Sequence, residues 1–419
     1  MEKYRRPAIL VRRTYPPLDL PPRNSRLGGS PLLPDGFDWP RAGNGVPLHF
    51  LAQIDFAELP PTGGVLPESG VLFFFGRVTS SFNWRRGDEP SDDYCRVIHA
   101  PAVGDREAIP PKDLPDILGG NVLSDFRVPG GPPYCVYPAW PVECHAIDSW
   151  AEGAWLNWIA DPAKEDDPEA QAHAEDLQQQ YELAVHAAHA AQYIRLFGDP
   201  RSSRGSKRAD WSNARYSAPD NRLAAPAADG DRLFPQVWIM IERIARHLVA
   251  YAVKQERYRN KPTGVQAERL QEIRRIGMDW ITAAKAQGLD TATDAETAQR
   301  FSDWLQALAG QGGEWFKMAQ AAIRCGVDSA IQFAAASPSA AAQIPHACYQ
   351  ENFHRQTSHQ ILGFAAPPLE TGEAMLLHLR SDEGVDFMFG DAGDITFWIS
   401  KENLAARRFH AAFGTMDSS

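Results

Sequence analysis

The 419-residue chain contains no apolar run approaching the roughly 18 residues needed to cross a bilayer, so a membrane-spanning helix is not expected. Cysteine is scarce. Cys95, Cys135, Cys144, Cys325 and Cys348 are odd in number and scattered, and none forms a C-x2-C pair, so neither a disulfide framework nor a structural zinc site is indicated. Positive charge is also short: 42 Lys and Arg stand against 53 Asp and Glu, a formal net charge of −11. That deficit argues against nucleic acid or an anionic membrane as a partner and leaves basic partners open. The opening "MEKYRRPAILVRRTYPP" carries Arg5, Arg6, Arg12 and Arg13 without the apolar centre of a secretory signal, so the expected location is the cytoplasm.

Motifs of common chemistry are missing too. There is no G-x-S-x-G elbow, and Ser30 in "GGSP" precedes a proline that spoils the strand-turn-helix context of a nucleophilic serine. "GQGGEW" (310–315) lacks the P-loop lysine and the dinucleotide spacing. The acidic cluster Asp382, Glu383, Asp386, Asp391 and Asp394 does not place oxygen ligands as a calcium loop requires, and Asp and Gly are what hairpin turns use. His346, His354 and His359 surround Cys348 without a paired cysteine or an H-x3-H helix, and His186 and His189 read as an exposed helix face. No cofactor or metal is expected.

What is present is a change of texture along the chain. "RLGGSPLLPDGFDWP" (26–40) alternates Leu27, Leu32, Leu33, Phe37 and Trp39 with turn formers and reads as an ordered, tightly turned loop. "HFLAQIDF" (49–56) and "GVLFFFG" (70–76) read as strands, and "YCVYP" and "VECHA" as edge strands. From Ser149 the texture is helical. Capping boxes are expected at Ser149/Glu152, Thr263/Gln266 and Thr293/Glu296. Asp167-Pro168 opens a helix that "FGDP" (197–200) closes. Val237, Ile241, Ile244, Leu248 and Tyr251 make one apolar stripe over 234–258, and further helices are predicted at about 265–287, 294–309 and 313–335. The polar segment 199–231, with Arg201, Arg204, Lys207 and Arg208, reads as a flexible solvated loop. From about 359 the β texture returns. "FLAQIDFAELP…ESGVLFFFG" and "MLLHLRSDEG…DAGDITFWIS" share an apolar strand, a polar turn, a small residue, a glycine and an apolar strand. Leu51 to Gly70 and Leu376 to Gly393 are similar distances, which suggests one β domain interrupted by helices.

The blocks "RLGGSPLLPDGFDWP", "PLHFLAQIDFAELP", "SGVLFFFG", "HQILGF" and "FMFGDAGDITFWI" resemble, in order and wording, the YwqG-like family, domain of unknown function 1963. The likeness covers roughly 20–80 and 355–413 and does not extend to the helical middle. It implies an α+β protein: a mainly-β, roll-like domain from residues 1–145 and 350–419, interrupted by a helical insertion at 146–349. It also implies an immunity-type or interaction protein and carries over no catalytic residue. The expected function is therefore a non-enzymatic protein-interaction module, of immunity or scaffold type, that binds a basic protein partner. The alternative is an enzyme or small-ligand receptor with a polar cleft near Gln53, Asp55 and Asp391. The candidate binding residues are Arg26, Trp39, Gln53, Asp55, His359 and Asp391. For Gln53 and Asp55 both a ligand contact and loop-anchoring hydrogen bonds remain open.

Overall fold

The computed structural model describes residues 2–17, 23–78, 94–117, 135–153, 156, 167–198, 223, 233–257, 265–335, 337–346, 348–349, 356–364, 372–390 and 392–417. Among them, ten strands form one antiparallel sheet: β1 (Arg5–Arg13), β2 (Arg26–Leu27), β3 (His49–Asp55), β4 (Val71–Gly76), β5 (Cys95–Ala100), β6 (Trp140–Trp150), β7 (His359–Ile361), β8 (Glu373–Arg380), β9 (Asp394–Ser400) and β10 (Phe413–Asp417). Their order is β10-β9-β8-β7-β1-β6-β2-β3-β4-β5. The sheet curls until its two edge strands, β5 and β10, approach one another. The architecture is α+β, a β roll from both ends of the chain with helices between.

The strand order is symmetric about the central β1–β6 pair, and the local details repeat with it. Leu51 in β3 and Leu376 in β8 each sit at a β-bulge, between Phe50 and Ala52 and between Met375 and Leu377. After β2 the chain turns through Gly28 and Gly29, with φ of 59° and 73°; after β7 it turns through Leu362 and Gly363, with φ of 59° and 76°. The Asp55 amide donates to Ser25 Oγ at 2.9 Å, and in the matching position the Arg380 amide donates to His359 Nδ1 at 3.2 Å. Even the wording repeats: Pro7-Ala8 matches Pro138-Ala139, and a Cβ on Gly29 would meet Ala139 Cβ at 2.7 Å, as one on Gly363 would meet Ala8 Cβ at 2.6 Å. The chain is thus an internal duplication, β1–β5 followed by β6–β10. Its first strands are exchanged, since β1 pairs with β7 and β6 with β2. The axis passes the Arg12–Glu143 pair, and the equivalent Phe74 and Phe397 meet across it with ring centroids 5.0 Å apart.

The helical insertion falls between β6 and β7. It comprises α1 (Pro168–Phe197), α2 (Trp238–Arg257), α3 (Val265–Gln287), α4 (Ala295–Ala309), α5 (Gly313–Ala335) and α6 (Pro338–Gln343); a last short helix, α7 (Lys401–Ala405), follows β9. The expected apolar stripe packs α2: Val237 just before it and Ile241, Ile244 and Leu248 within it are fully buried. Asp167 caps α1 through the Glu169 amide, with proline in the first turn, where a missing donor is harmless. Two cap expectations are corrected. Asp294, not Thr293, caps α4, its carboxylate accepting from the Thr297 amide. Ser149 lies in β6, where its hydroxyl accepts the Phe364 amide, because β6 runs on to Trp150. Strand β6 is central rather than an edge, and residues 135–138 of "YCVYP" form no strand. Thr263 and most of the 199–231 segment lie outside the described residues.

The matched glycines give a test of the duplication. Gly29→Ala and Gly363→Ala combine a left-handed backbone with a Cβ clash against an alanine, so each is expected to lose at least about 1–3 kcal/mol in urea unfolding. Gly36→Ala, with φ of 88° but open space around it, is expected to cost less. Equal losses at all three positions would contradict the assigned packing.

Candidate functional site

Two features stand out on the second wing of the sheet, the part built from β1 and β7–β10. The first is a cleft of about 710 Å³ between the sheet and α1. The sheet contributes Leu10, Gln360, His378, Arg380 and Asp394, and α1 contributes Tyr181, Glu182, Val185, His186, His189 and Tyr193. Helix α1 reaches this position with very little buried surface. Of its thirty residues only Tyr181 and Val185 are buried, and they pack on Trp150. Tyr181 donates to the Ala151 carbonyl at 2.8 Å, and Gln192 brackets Asp148 by accepting its amide and donating to its carbonyl. Near the helix end, Phe197 and Tyr193 cover the buried Arg12 guanidinium at 4.1 and 5.2 Å. The rest of α1 is a polar face, with Leu183 and Ile194 exposed on it.

Within the cleft the imidazole of His378 has both nitrogens occupied. Nδ1 lies 3.0 Å from Thr396 Oγ1 and Nε2 3.5 Å from Asp394 Oδ2. The other Asp394 oxygen lies 3.7 Å from Arg380 Nε, so the carboxylate is braced from two sides, one third exposed, and turned to the cleft. Glu152 and Glu182 add two further carboxylates, and Trp150, Tyr181, Tyr193 and Phe364 supply aromatic walls. His189 stacks on Trp150 at 5.2 Å, and burial followed by the neighbouring His186 pushes its pKa down.

The second feature is buried. Arg13 grips Asp382 with both oxygens at 2.9 Å, donates to the Tyr15 hydroxyl, and lies over the Trp140 ring at 4.8 Å. Gln356 receives the Arg13 amide and donates to its carbonyl. Gly384 has no side chain because one would collide with the Arg13 guanidinium; its amide donates to Asp382, and its carbonyl accepts from Gln332 of α5. The Arg380 amide donates to His359 Nδ1, so the proton sits on Nε2, which faces Asp382 at 3.3 Å. Burial alone would raise the Asp382 carboxyl, but the Arg13 charge and the His359 and Gly384 donors outweigh it and hold it below the usual carboxylate range. Burial keeps His359 neutral by lowering its pKa. This cluster ties the two ends of the chain to the helical insertion. Arg13, Asp382 and His359 are all buried, and His359 also lines the floor of the cleft.

The sequence-derived candidates are spread over the molecule. Gln53 is fully buried: its carbonyl accepts the Leu32 amide at 2.9 Å and its amide donates to the Asn24 carbonyl. Asp55 accepts from Asn24 Nδ2 and from the Ala57 amide. Trp39 donates to the Leu48 carbonyl at 2.7 Å and meets Phe75 edge-on. Arg26 pairs with Glu107 at 2.6 Å. His359 belongs to the buried cluster, and Asp391 lies outside the described residues. Four of these six therefore pin the loop after β2 and its surroundings on the first wing, while the cleft lies on the second. The duplication relates the two, for His378 occupies the strand position of Gln53. On the first wing that position is closed by the loop; on the second it faces the cleft. Among the described residues no group of three or more His, Cys, Asp or Glu is placed to hold a metal ion, and no helix is long and apolar enough to cross a membrane.

Fold and site together define a duplicated, strand-exchanged β roll with a helical insertion beside a polar cleft. The family described as Domain of unknown function (DUF1963) matches residues 25–229 and 257–418, and the chain belongs to it. The match extends over much of the helical middle, which the sequence blocks did not reach. No curated protein matches the chain.

Breaking either partner of the Arg13–Asp382 pair leaves a buried charge unmatched. Arg13→Met and Asp382→Leu are each expected to cost about 3–5 kcal/mol, with the double variant losing clearly less than their sum. A double-mutant cycle in urea that returned simple additivity would refute the coupling. Acid acts through the buried histidines. Burial lowers His49 and His359, and burial with the Arg243 and Arg246 charges takes His247 down to about 3. Below the ordinary value of about 6.5 the unfolded chain takes up protons that the folded chain refuses, so stability falls as pH drops, by up to ~1.4 kcal/mol per group per pH unit. A urea midpoint unchanged between about pH 7.5 and pH 5 would overturn this.

Proposed function

We propose that the chain is a non-catalytic, cytoplasmic protein-interaction module, of immunity or scaffold type, that receives a basic segment of a partner protein in the cleft between α1 and the sheet. The observation that carries this reading is the pairing of three carboxylates, Glu152, Glu182 and Asp394, with an aromatic wall, against Arg380 as the one arginine or lysine among the described residues that line the cleft. Carboxylates beside aromatic faces are what an arginine or lysine side chain recognises, through charge-assisted hydrogen bonds and cation–π contact. The net charge of −11 steers such a partner toward the protein. The state of the side chains supports binding over catalysis. Both nitrogens of His378 are engaged, His359 is locked against Asp382, and burial pushes the Cys144 thiol up to about 12, far from the thiolate a nucleophile needs. The thinly packed α1 gives one side of the cleft freedom to adapt.

Calorimetric titration with a short oligo-arginine peptide tests the reading. Binding is expected to weaken with salt and to fall about 5–10-fold in an Asp394→Asn/Glu182→Gln variant, equivalent to roughly 1–1.4 kcal/mol. Equal affinity for an oligo-glutamate peptide, or no effect of the double substitution, would remove the cleft from consideration.

A further inference from the structure

The four histidines that line the cleft are of two kinds. His359 and His378 are buried in the sheet, and each already faces a carboxylate, Asp382 and Asp394. His186 and His189 stand one turn apart on α1, are exposed, and are paired with no carboxylate among the described residues.

Each of the two α1 histidines stands beside a group that the recognition of a basic segment uses. His186 follows Glu182 by four residues, the spacing at which a carboxylate and a cation on one helix face attract, with the carboxylate on the favourable N-terminal side. Glu182 is admitted to the cleft by Gly153, where a Cβ would lie only 2.6 Å from its Oε1. His189 meets the Trp150 ring at 5.2 Å between centroids, so in its cationic form it takes the aromatic contact that a partner's arginine would make.

The surrounding charges set the balance. Three carboxylates against Arg380 leave the lining with two net negative charges while both α1 imidazoles are neutral, and two imidazolium ions cancel them. The other groups around α1 are already committed. Asp148 of β6 is paired with Arg5 at 3.7 Å, His145 with Glu143 at 3.4 Å, the Tyr181 hydroxyl donates to Ala151, and Tyr193 covers Arg12. Histidine is the side chain whose charge ordinarily changes between about pH 5 and 8. Burial, and then the neighbouring His186, lowers the His189 pKa, which moves its part of the change to the acid side of the usual value.

We propose that His186 and His189 form a pH switch on the cleft: neutral, they leave it open to the partner's basic segment, and protonated they engage Glu182 and Trp150 in its place and release it. The switch rests on the basic-segment reading of the cleft. Protonation and binding oppose one another, so by linkage the bound segment also expels protons.

The test is calorimetric titration of the full chain with an N-acetylated oligo-arginine peptide, whose guanidinium groups keep their charge throughout the range used. Affinity is expected to fall by about fivefold or more between pH 7.5 and pH 5, and the fall is expected to shrink to less than about twofold in the His186→Gln/His189→Gln variant. At pH 6, titrations in two buffers of different ionisation enthalpy are expected to show protons released on binding. His186→Arg, a fixed cation at an exposed position, is expected to weaken binding already at pH 7.5. Thermal melts establish that each protein is folded at pH 5, and the proton count and the arginine variant need no exposure to that acidity. Binding that is equal or tighter in acid, a fall retained in the double variant, or no proton release would overturn the switch while leaving the basic-segment reading intact. No binding at either pH would overturn that reading and the switch with it.

Discussion

The buried pair of Arg13 and Asp382 is the contact on which the rest of the molecule hangs. It joins the last residue of the first strand to a turn 369 residues later, with each charge matched by a bidentate partner and the spare polar atoms met by Gly384, His359 and Tyr15. A lone charge at that depth would be prohibitive, so the geometry around it is demanding. The glycine at 384, the histidine tautomer and the Gln332 contact from α5 all follow from housing a guanidinium there. Strands, turn and helical insertion are positioned together by one electrostatic requirement.

Around that junction the two repeats have diverged in what they cover. On the first wing the loop after Gly29 folds back over Phe50, Phe73 and Phe75, and Leu33 and Trp39 seal it. The link from Gly363 back to β8 is shorter, and the equivalent strand positions are Met375, Thr396 and Trp398. Where the described residues of one wing include a loop that closes over these positions, those of the other border a polar cleft. Asymmetry of covering, on a symmetric frame, is what gives this fold surfaces to use.

Much of the frame was legible in the sequence. Helices announced themselves through Asp167-Pro168, through the stripe from Val237 to Tyr251, and through the periodic runs of α3, α4 and α5, because local capping and burial of one face determine them. The spacing from Leu51 to Gly70 and from Leu376 to Gly393 suggested one β domain from both ends of the chain, and only the strand order and the matching bulges showed the full duplication. Arg13 and Asp382 gave no such signal. Their pairing is purely long-range, and Asp382 read as one more turn aspartate. Gln53 alternates like an outward residue, yet the loop closes over it and its amide becomes a backbone anchor. The cleft depends on where α1 docks, and a helix whose only buried residues are Tyr181 and Val185 leaves almost no pattern to read.

The exchange of first strands has a consequence for how such a chain arises. Because β1 pairs with β7 and β6 with β2, neither repeat has a complete set of neighbours until the other is present. A single copy of five strands would reproduce these pairings by lending its first strand to a twin. On this view the central β1–β6 ladder is the fossil of a two-fold subunit interface, with Arg12 and Glu143 still facing each other where the axis ran. Fusing the twins tethered both copies into one polypeptide, and the junction between β6 and β7, no longer bound by symmetry, was free to accept a helical bundle on one side alone.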